Sequence, residues 1–248
     1  MSTKSPRIIS LVPSLTELII DLGLQQNLVG RTRFCVHPSE QVESIPIVGG
    51  TKNPRIDKIY DTDPDYIIAN KEENRPEDIK QLMDDFEVIV TDIETIEDAL
   101  ITIHNLGETF EVSDTADELI SDIQQRLEER PDEPALRTAY MIWKDPWMSI
   151  GHDTYIHDVM DHYNLSNVFN NESRYPTFEL DELKTYNPDL VLLSSEPYPF
   201  KEKHISMVEE VCPAARVLLV EGEWFSWYGS HMKHAFGRLN GWRKAITN

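Results

Sequence analysis

Apolar and polar positions along this chain alternate between a two-residue and a three-to-four-residue period, which predicts strands and helices in quick succession. The run Ile8-Ile9-Ser10-Leu11-Val12 is apolar and β-rich, and Pro13-Ser14 stops it. Ser14 with Glu17 predicts a capping-box helix start, and Gly23 is placed to end that helix. Strands follow at 28–30 and 45–50, then a short helix at 53–60. Asp63-Pro64-Asp65-Tyr66-Ile67-Ile68-Ala69 reads as a turn and a buried strand, before helix at 76–85 and strand at 87–90. Such alternation favours a parallel sheet covered on both faces.

From Thr95 the pattern is helical only. Ile96, Leu100, Ile103, Leu106 and Phe110 recur at helical spacing, and Ala116, Leu119, Ile120, Ile123 and Leu127 continue it until Pro131 and Pro134 close the run. The stretch 107–131 predicts a polar connecting helix, whose part up to Arg130 would be roughly 35 Å long. Beyond it the strand–helix logic repeats: strand at 136–143, helices at 154–163 and 180–186, then Asn187-Pro188-Asp189-Leu190-Val191-Leu192-Leu193. That last segment matches 63–69 in its helix, Pro-Asp turn and strand. Helix at 203–211 and strand at 216–220 then parallel 76–90, and a terminal helix covers 229–245. The ordered series predicts two lobes of one architecture: an N-terminal α/β lobe at 1–106, the connecting helix at 107–131 and a C-terminal α/β lobe at 132–248. The expected fold class is α/β, with two Rossmann-like lobes, central parallel sheets and a single long backbone helix.

Charge narrows the function. Against 23 Lys+Arg stand 44 Asp+Glu, a net charge of −21, which argues against nucleic acid and anionic membrane surfaces as partners. No apolar run approaches the roughly 20 residues that cross a bilayer. The start, with its short apolar run cut by Pro13, predicts no signal peptide or lipobox and so a cytoplasmic protein; a native leader ahead of it would make the protein periplasmic or cell-surface. Cys35 and Cys212, far apart, predict two free thiols, and a monomer is expected.

Common catalytic signatures are missing: no glycine-rich nucleotide cradle follows the first strand, and there is no Gly-x-Ser-x-Gly, Cys-x-x-Cys or His-Glu-x-x-His. No intrinsic cofactor is expected. Cys35-Val36-His37 is spaced to bring sulfur and imidazole near one metal, yet two ligands fall short of a protein metal site. Aromatic residues in loop segments say more. Trp143 and Trp147 lie in the segment that follows the first strand of the second half, and Trp224, Trp227 and Tyr228 follow its last. In an open parallel sheet such loops leave strand C-termini, where ligands bind. Arg33, Tyr228 and Ser226 are suited to orient polar groups of a ligand.

The marks Ile9-Ser10-Leu11-Val12-Pro13-Ser14-Leu15-Thr16-Glu17, Val29-Gly30-Arg31-Thr32, Asp63-Pro64-Asp65-Tyr66, Pro188-Asp189-Leu190-Val191 and Trp227-Tyr228-Gly229, in this order, resemble the helical-backbone binding proteins of ABC importers, the vitamin B12 and ferric-siderophore receptor group. The resemblance implies a substrate-binding protein, not an enzyme, that holds a corrinoid, haem or ferric siderophore in a cleft between lobes. Its candidate ligand contacts here are Ser14, Arg33, Cys35, His37, Trp147, Tyr175, Trp224, Trp227 and Tyr228, with Cys35 and His37 as weak metal candidates. It also implies docking to a permease through Glu73 or Glu77 on one lobe and Glu196 or Glu202 on the other. Two other readings stay open: an enzyme acting on a chelate or small metabolite through Cys35, His37 and Asp145, and an acidic protein-interaction module.

Overall fold

The structure, a computed structural model, describes residues 5–247; Met1 to Lys4, which enter the expectation about a leader, lie outside the described residues. It contains two compact units. The first takes the described part of Met1–Ile93 together with Glu97–Asp122 and Tyr228–His231; the second takes Glu94–Ile96, Ile123–Trp227 and the described part of Met232–Asn248.

In the first unit the elements are β1 (Ile8–Ser10), α1 (Pro13–Ile19), β2 (Leu28–Arg31), α2 (Ser39–Val42), α3 (Ile56–Thr62), β3 (Tyr66–Asn70), α4 (Pro76–Met83), β4 (Glu87–Thr91) and α5 (Ile96–Thr109). Its four strands pair in parallel in the order β2-β1-β3-β4. Ile9, Ile67 and Ala69 of the sheet, with Leu11 just past β1, bury one face against Ile59, Ile79 and Leu82, apolar positions of α3 and α4. α1 begins one residue before the expected cap: Val12 is the extended N-cap residue and Pro13 the first helical one, where a missing N–H costs nothing. Ser14 is therefore inside the helix and makes no capping bond, which corrects the capping-box reading. Gly23 does turn the chain after the helix, at φ 84°. The strand expected at 45–50 reduces to two single bridges, Arg31 to Ile47 and Gly49 to Pro54. Pro46 has no N–H for a ladder, so the segment gives β2 only its Pro46 carbonyl and the Val48 N–H, each bonded to Arg31 at 2.9 Å.

The predicted helix at 107–131 also differs. α5 runs on through Gly107, the chain turns at 110–112 with Glu111 at φ 59°, and α6 spans Ser113–Glu128. A Cβ on Gly107 would lie 2.5 Å from that of Ala116, so the glycine serves a close approach of the two helix ends. The 16 residues of α6 make about 24 Å of helix instead of roughly 35 Å. The chain leaves the first unit within this helix, after Asp122.

In the second unit come β5 (Leu136–Met141), β6 (Trp147–Met148), α7 (Tyr155–His162), β7 (Leu165–Asn167), β8 (Thr177–Phe178), α8 (Leu183–Tyr186), β9 (Leu190–Ser194), α9 (Glu202–Val211), β10 (Arg216–Val220), α10 (Glu223–Ser226) and α11 (His231–Thr247). The sheet is again parallel, ordered β7-β5-β9-β10, so in both units the first strand lies between the second and the third.

The repeat extends to side chains. Ahead of β1, the Arg7 guanidinium donates to the carbonyls of Thr62 and Asp63, at the end of α3, and the Asp65 carboxylate accepts from the Arg7 N–H at 2.8 Å. At the start of β5, Arg137 donates to the carbonyls of Tyr186 and Asn187, at the end of α8, and Asp189 accepts from the Arg137 N–H at 2.9 Å. Asp63 and Asn187 both end their helices in the left-handed conformation. The two Pro-Asp turns read from the sequence are thus one device used twice.

Candidate ligand-binding site

In both sheets the C-terminal ends of the first and third strands border the switch in strand order, where open parallel sheets bind ligands. In the first unit the loop after β2 is held from behind. The buried Arg31 guanidinium donates to the carbonyls of Val42, Thr32 and Cys35 at 2.8–3.1 Å. Cys35 is fully buried, its sulfur 3.0 Å from Thr16 Oγ1 and 3.2 Å from Thr32 Oγ1, and burial raises its thiol pKa. These anchors leave Arg33, Phe34 and Val36 on the outside, with the Arg33 guanidinium 5.0 Å from the centre of the Phe34 ring.

Cys35 is therefore a core residue and presents no sulfur to a ligand or substrate. This corrects the expectation that it contacts ligand or metal and removes the nucleophile from the enzyme reading. His37 is half-buried, its ring 6.4 Å from that of His231, whose Nδ1 lies 3.1 Å from the Glu17 carboxylate. Among the described residues no group of three or more His, Cys, Asp or Glu side chains is arranged to hold a metal ion. Ser14 and Tyr228 are both buried in this unit, and Gly229, at φ 82°, packs beside Leu18.

In the second unit Trp147 is 7% exposed and stacks on Phe200 within the core, contrary to the expectation that it contacts ligand. The β6–β8 ribbon, Trp147 paired with Phe178, turns it inward. Trp143, left out of the expected contacts, is the exposed aromatic after β5, with its ring edge-on to Tyr198. Tyr175 is also exposed; its neighbour Arg174 is held by Glu94 at 2.9 Å and Asp153 at 3.3 Å. Trp224 is half-buried. Trp227 is 9% exposed, and its indole N–H donates to Glu196 at 3.1 Å, as does the Ser226 hydroxyl at 2.6 Å. Burial pushes the Glu196 carboxyl above its ordinary pKa. Asp145 is exposed beside Lys144 at 2.7 Å.

The acidic residues expected at a permease sort by exposure. Glu196 is half-buried and engaged by Ser226 and Trp227 within its own unit. Glu73 sits half-buried in the turn after β3, its N–H bonded to Asn70 Oδ1. Glu77 and Glu202 are exposed in the first turns of α4 and α9, the helices between third and fourth strands in their respective units.

Arg33 and Phe34 adjoin in sequence, so their pairing was open to reading; the exposure of Phe34 and Trp143 was not, because it depends on what anchors each loop. No helix among the described residues is long and apolar enough to cross a membrane.

The fold matches that of a periplasmic heme-binding protein from Roseiflexus sp. RS-1, at a TM-score of 0.84 and 16% identity over 99% of this chain and 100% of that one. In sequence, the chain is 24% identical to a vitamin B12-binding protein of Vibrio cholerae over 76% of its own length and 70% of that protein. It is also 24% identical to an uncharacterized ABC transporter substrate-binding lipoprotein of Bacillus subtilis, covering 76% of this chain but only 64% of the relative. The Periplasmic binding protein family profile matches residues 8–212, most of both units. The chain belongs to the periplasmic binding protein family.

Proposed function

We propose that this chain is a substrate-binding protein that holds a bulky, partly apolar metal chelate, of the corrinoid, haem or ferric-siderophore class, and delivers it to an ABC-type permease. The observation that carries the reading is the anchored loop after β2, which exposes Phe34 with the Arg33 cation beside it. A flat apolar face with an adjoining positive charge suits a macrocycle or chelate with acidic groups on its rim. Trp143 and Tyr175, also open to solvent, and the half-buried Trp224 are the proposed contacts of the second unit. His37 is the remaining candidate for an approach to the metal. The vitamin B12-binding and heme-binding names among the similar proteins support the ligand class.

Glu77 and Glu202, at equivalent places on equivalent helices, are the proposed pair for basic groups of the permease. The periplasmic and lipoprotein names of the relatives support work outside the cytoplasmic membrane. Binding without turnover is the proposed mode, with no resident cofactor.

Titration of tryptophan fluorescence with cyanocobalamin, haemin and a ferric siderophore tests the ligand class. One of them is expected to saturate the protein at low micromolar concentration or below, with Phe34→Ala and Trp143→Ala each weakening it about tenfold. Failure of all three below about 100 µM removes the class.

A further inference from the structure

β4 closes one side of the first sheet, so among the described residues its outer edge has no strand beside it. The Thr91 carbonyl accepts from the Lys71 N–H at 2.9 Å, which turns Thr91, and with it Ile89 and Glu87, toward β3. By the two-residue period of a strand, the N–H and C=O of Val88 and Val90 point outward. Along this edge lies a groove of about 230 Å³ between β4 and α5, with Ile89, Val90, Ile101 and Leu106 as its apolar part. Val90 is 39% and Ile101 47% exposed. Asp92, already paired with Lys71 at 2.6 Å, and Asp98 also line it, and among the described residues no Lys, Arg or His does.

The second unit shows what an equivalent edge can hold. Arg216 opens β10 in the register at which Glu87 opens β4, each paired with the first residue of the third strand. The Arg216 guanidinium donates to the Ile246 carbonyl in the last turn of α11 at 2.8 Å, placing a cation at the negative end of that helix. Glu87, in the same register, has no side-chain donor to offer, and the last turn of α5 contributes Asn105, Leu106 and Thr109 to the groove.

We propose that the groove beside β4 receives an extended, basic segment of a partner protein, which adds to the sheet as a fifth strand. Its backbone meets the outward groups of Val88 and Val90, alternate apolar side chains enter the groove, and a Lys or Arg takes the place at the end of α5 that Arg216 takes at α11. A second copy of this chain is a poor occupant, because each carries a net charge of −21.

The test is fluorescence polarisation of a labelled, capped peptide of alternating valine and Lys/Arg against the whole protein, beside the same peptide with Glu at the basic positions. Saturable one-to-one binding of the basic peptide alone is expected at about 0.1 M salt. Val90→Pro removes one outward N–H at an edge that tolerates proline, and Glu87→Arg supplies the missing cation internally. Each is expected to weaken binding about tenfold. Melting curves check the fold, and if Val90→Pro unfolds the protein, the exposed Glu87→Arg decides alone. Absence of saturable binding overturns the proposal. So does binding that the variants leave unchanged, which is diffuse attraction to an acidic surface, and so does full competition by free arginine at equal concentration, which marks a small-cation site.

Discussion

Glu196 holds its carboxylate between two donors, Ser226 and the Trp227 indole, with the like charges of Glu221 and Glu223 close enough to matter. Burial is the largest influence on its pKa, raising it above the ordinary 4.5, while the two hydrogen bonds work the other way. From 4.5 up to the raised folded value, the native protein keeps a proton that the unfolded chain has released. The stability linked to that proton is present below this window and lost as pH rises through it. Glu196→Gln keeps an acceptor for Ser226 and Trp227 and removes the charge. Thermal melts are expected to coincide near pH 4 and to favour the variant near pH 8; a variant that melts lower at the higher pH shows the carboxylate to be net stabilising there. Single residues were also where the sequence was hardest to read. Glu196 looked like a surface acid because its partners are about 30 positions away, and Cys35 looked like a loop thiol because the hydroxyls that bury it belong to Thr16 and Thr32. Residue type and spacing carry no record of such partners.

Elements were far more legible. The apolar runs of β1, β3, β5 and β9 are buried along almost their whole length, and such runs announce central strands of a parallel sheet. Short pieces escaped: β7 has three residues, β6 and β8 two each, and pattern needs more length than that. The repeated turn shows what pattern alone leaves out. Its Pro-Asp residues were visible in both halves, but the arginine that secures each turn lies more than 50 positions away, at Arg7 and Arg137. Each guanidinium spans two helix-end carbonyls, a geometry that a lysine point charge does not reproduce. Arg7→Ala and Arg137→Ala are each expected to lower unfolding free energy in urea by about 1 kcal/mol, with little rescue by lysine. A null effect at both positions removes the latch from the account of stability.

At the scale of the molecule, two like lobes and the family followed from the order of motifs, whereas the helix between them was read too long. Continuous helical spacing from 96 to 127 hides a corner, because residues 110–112 are themselves compatible with helix until Gly107 and Ala116 meet. The units are also less contiguous than a linear reading allows. Glu94–Ile96 go with the second unit, where the Ile96 N–H donates to Asp158 at 2.7 Å; Tyr228–His231 go with the first, where His231 meets Glu17. No single cut of the polypeptide therefore yields two pieces that coincide with the two units. Fragments divided within residues 129–135 are each expected to give poorly dispersed NMR spectra when expressed alone, and native-like dispersion when co-expressed. A well-dispersed spectrum from residues 1–128 alone would show the four-residue strip to be dispensable. If both fragments behave as expected, this chain is a natural split reporter: each piece stays silent until the other supplies the few residues it is missing.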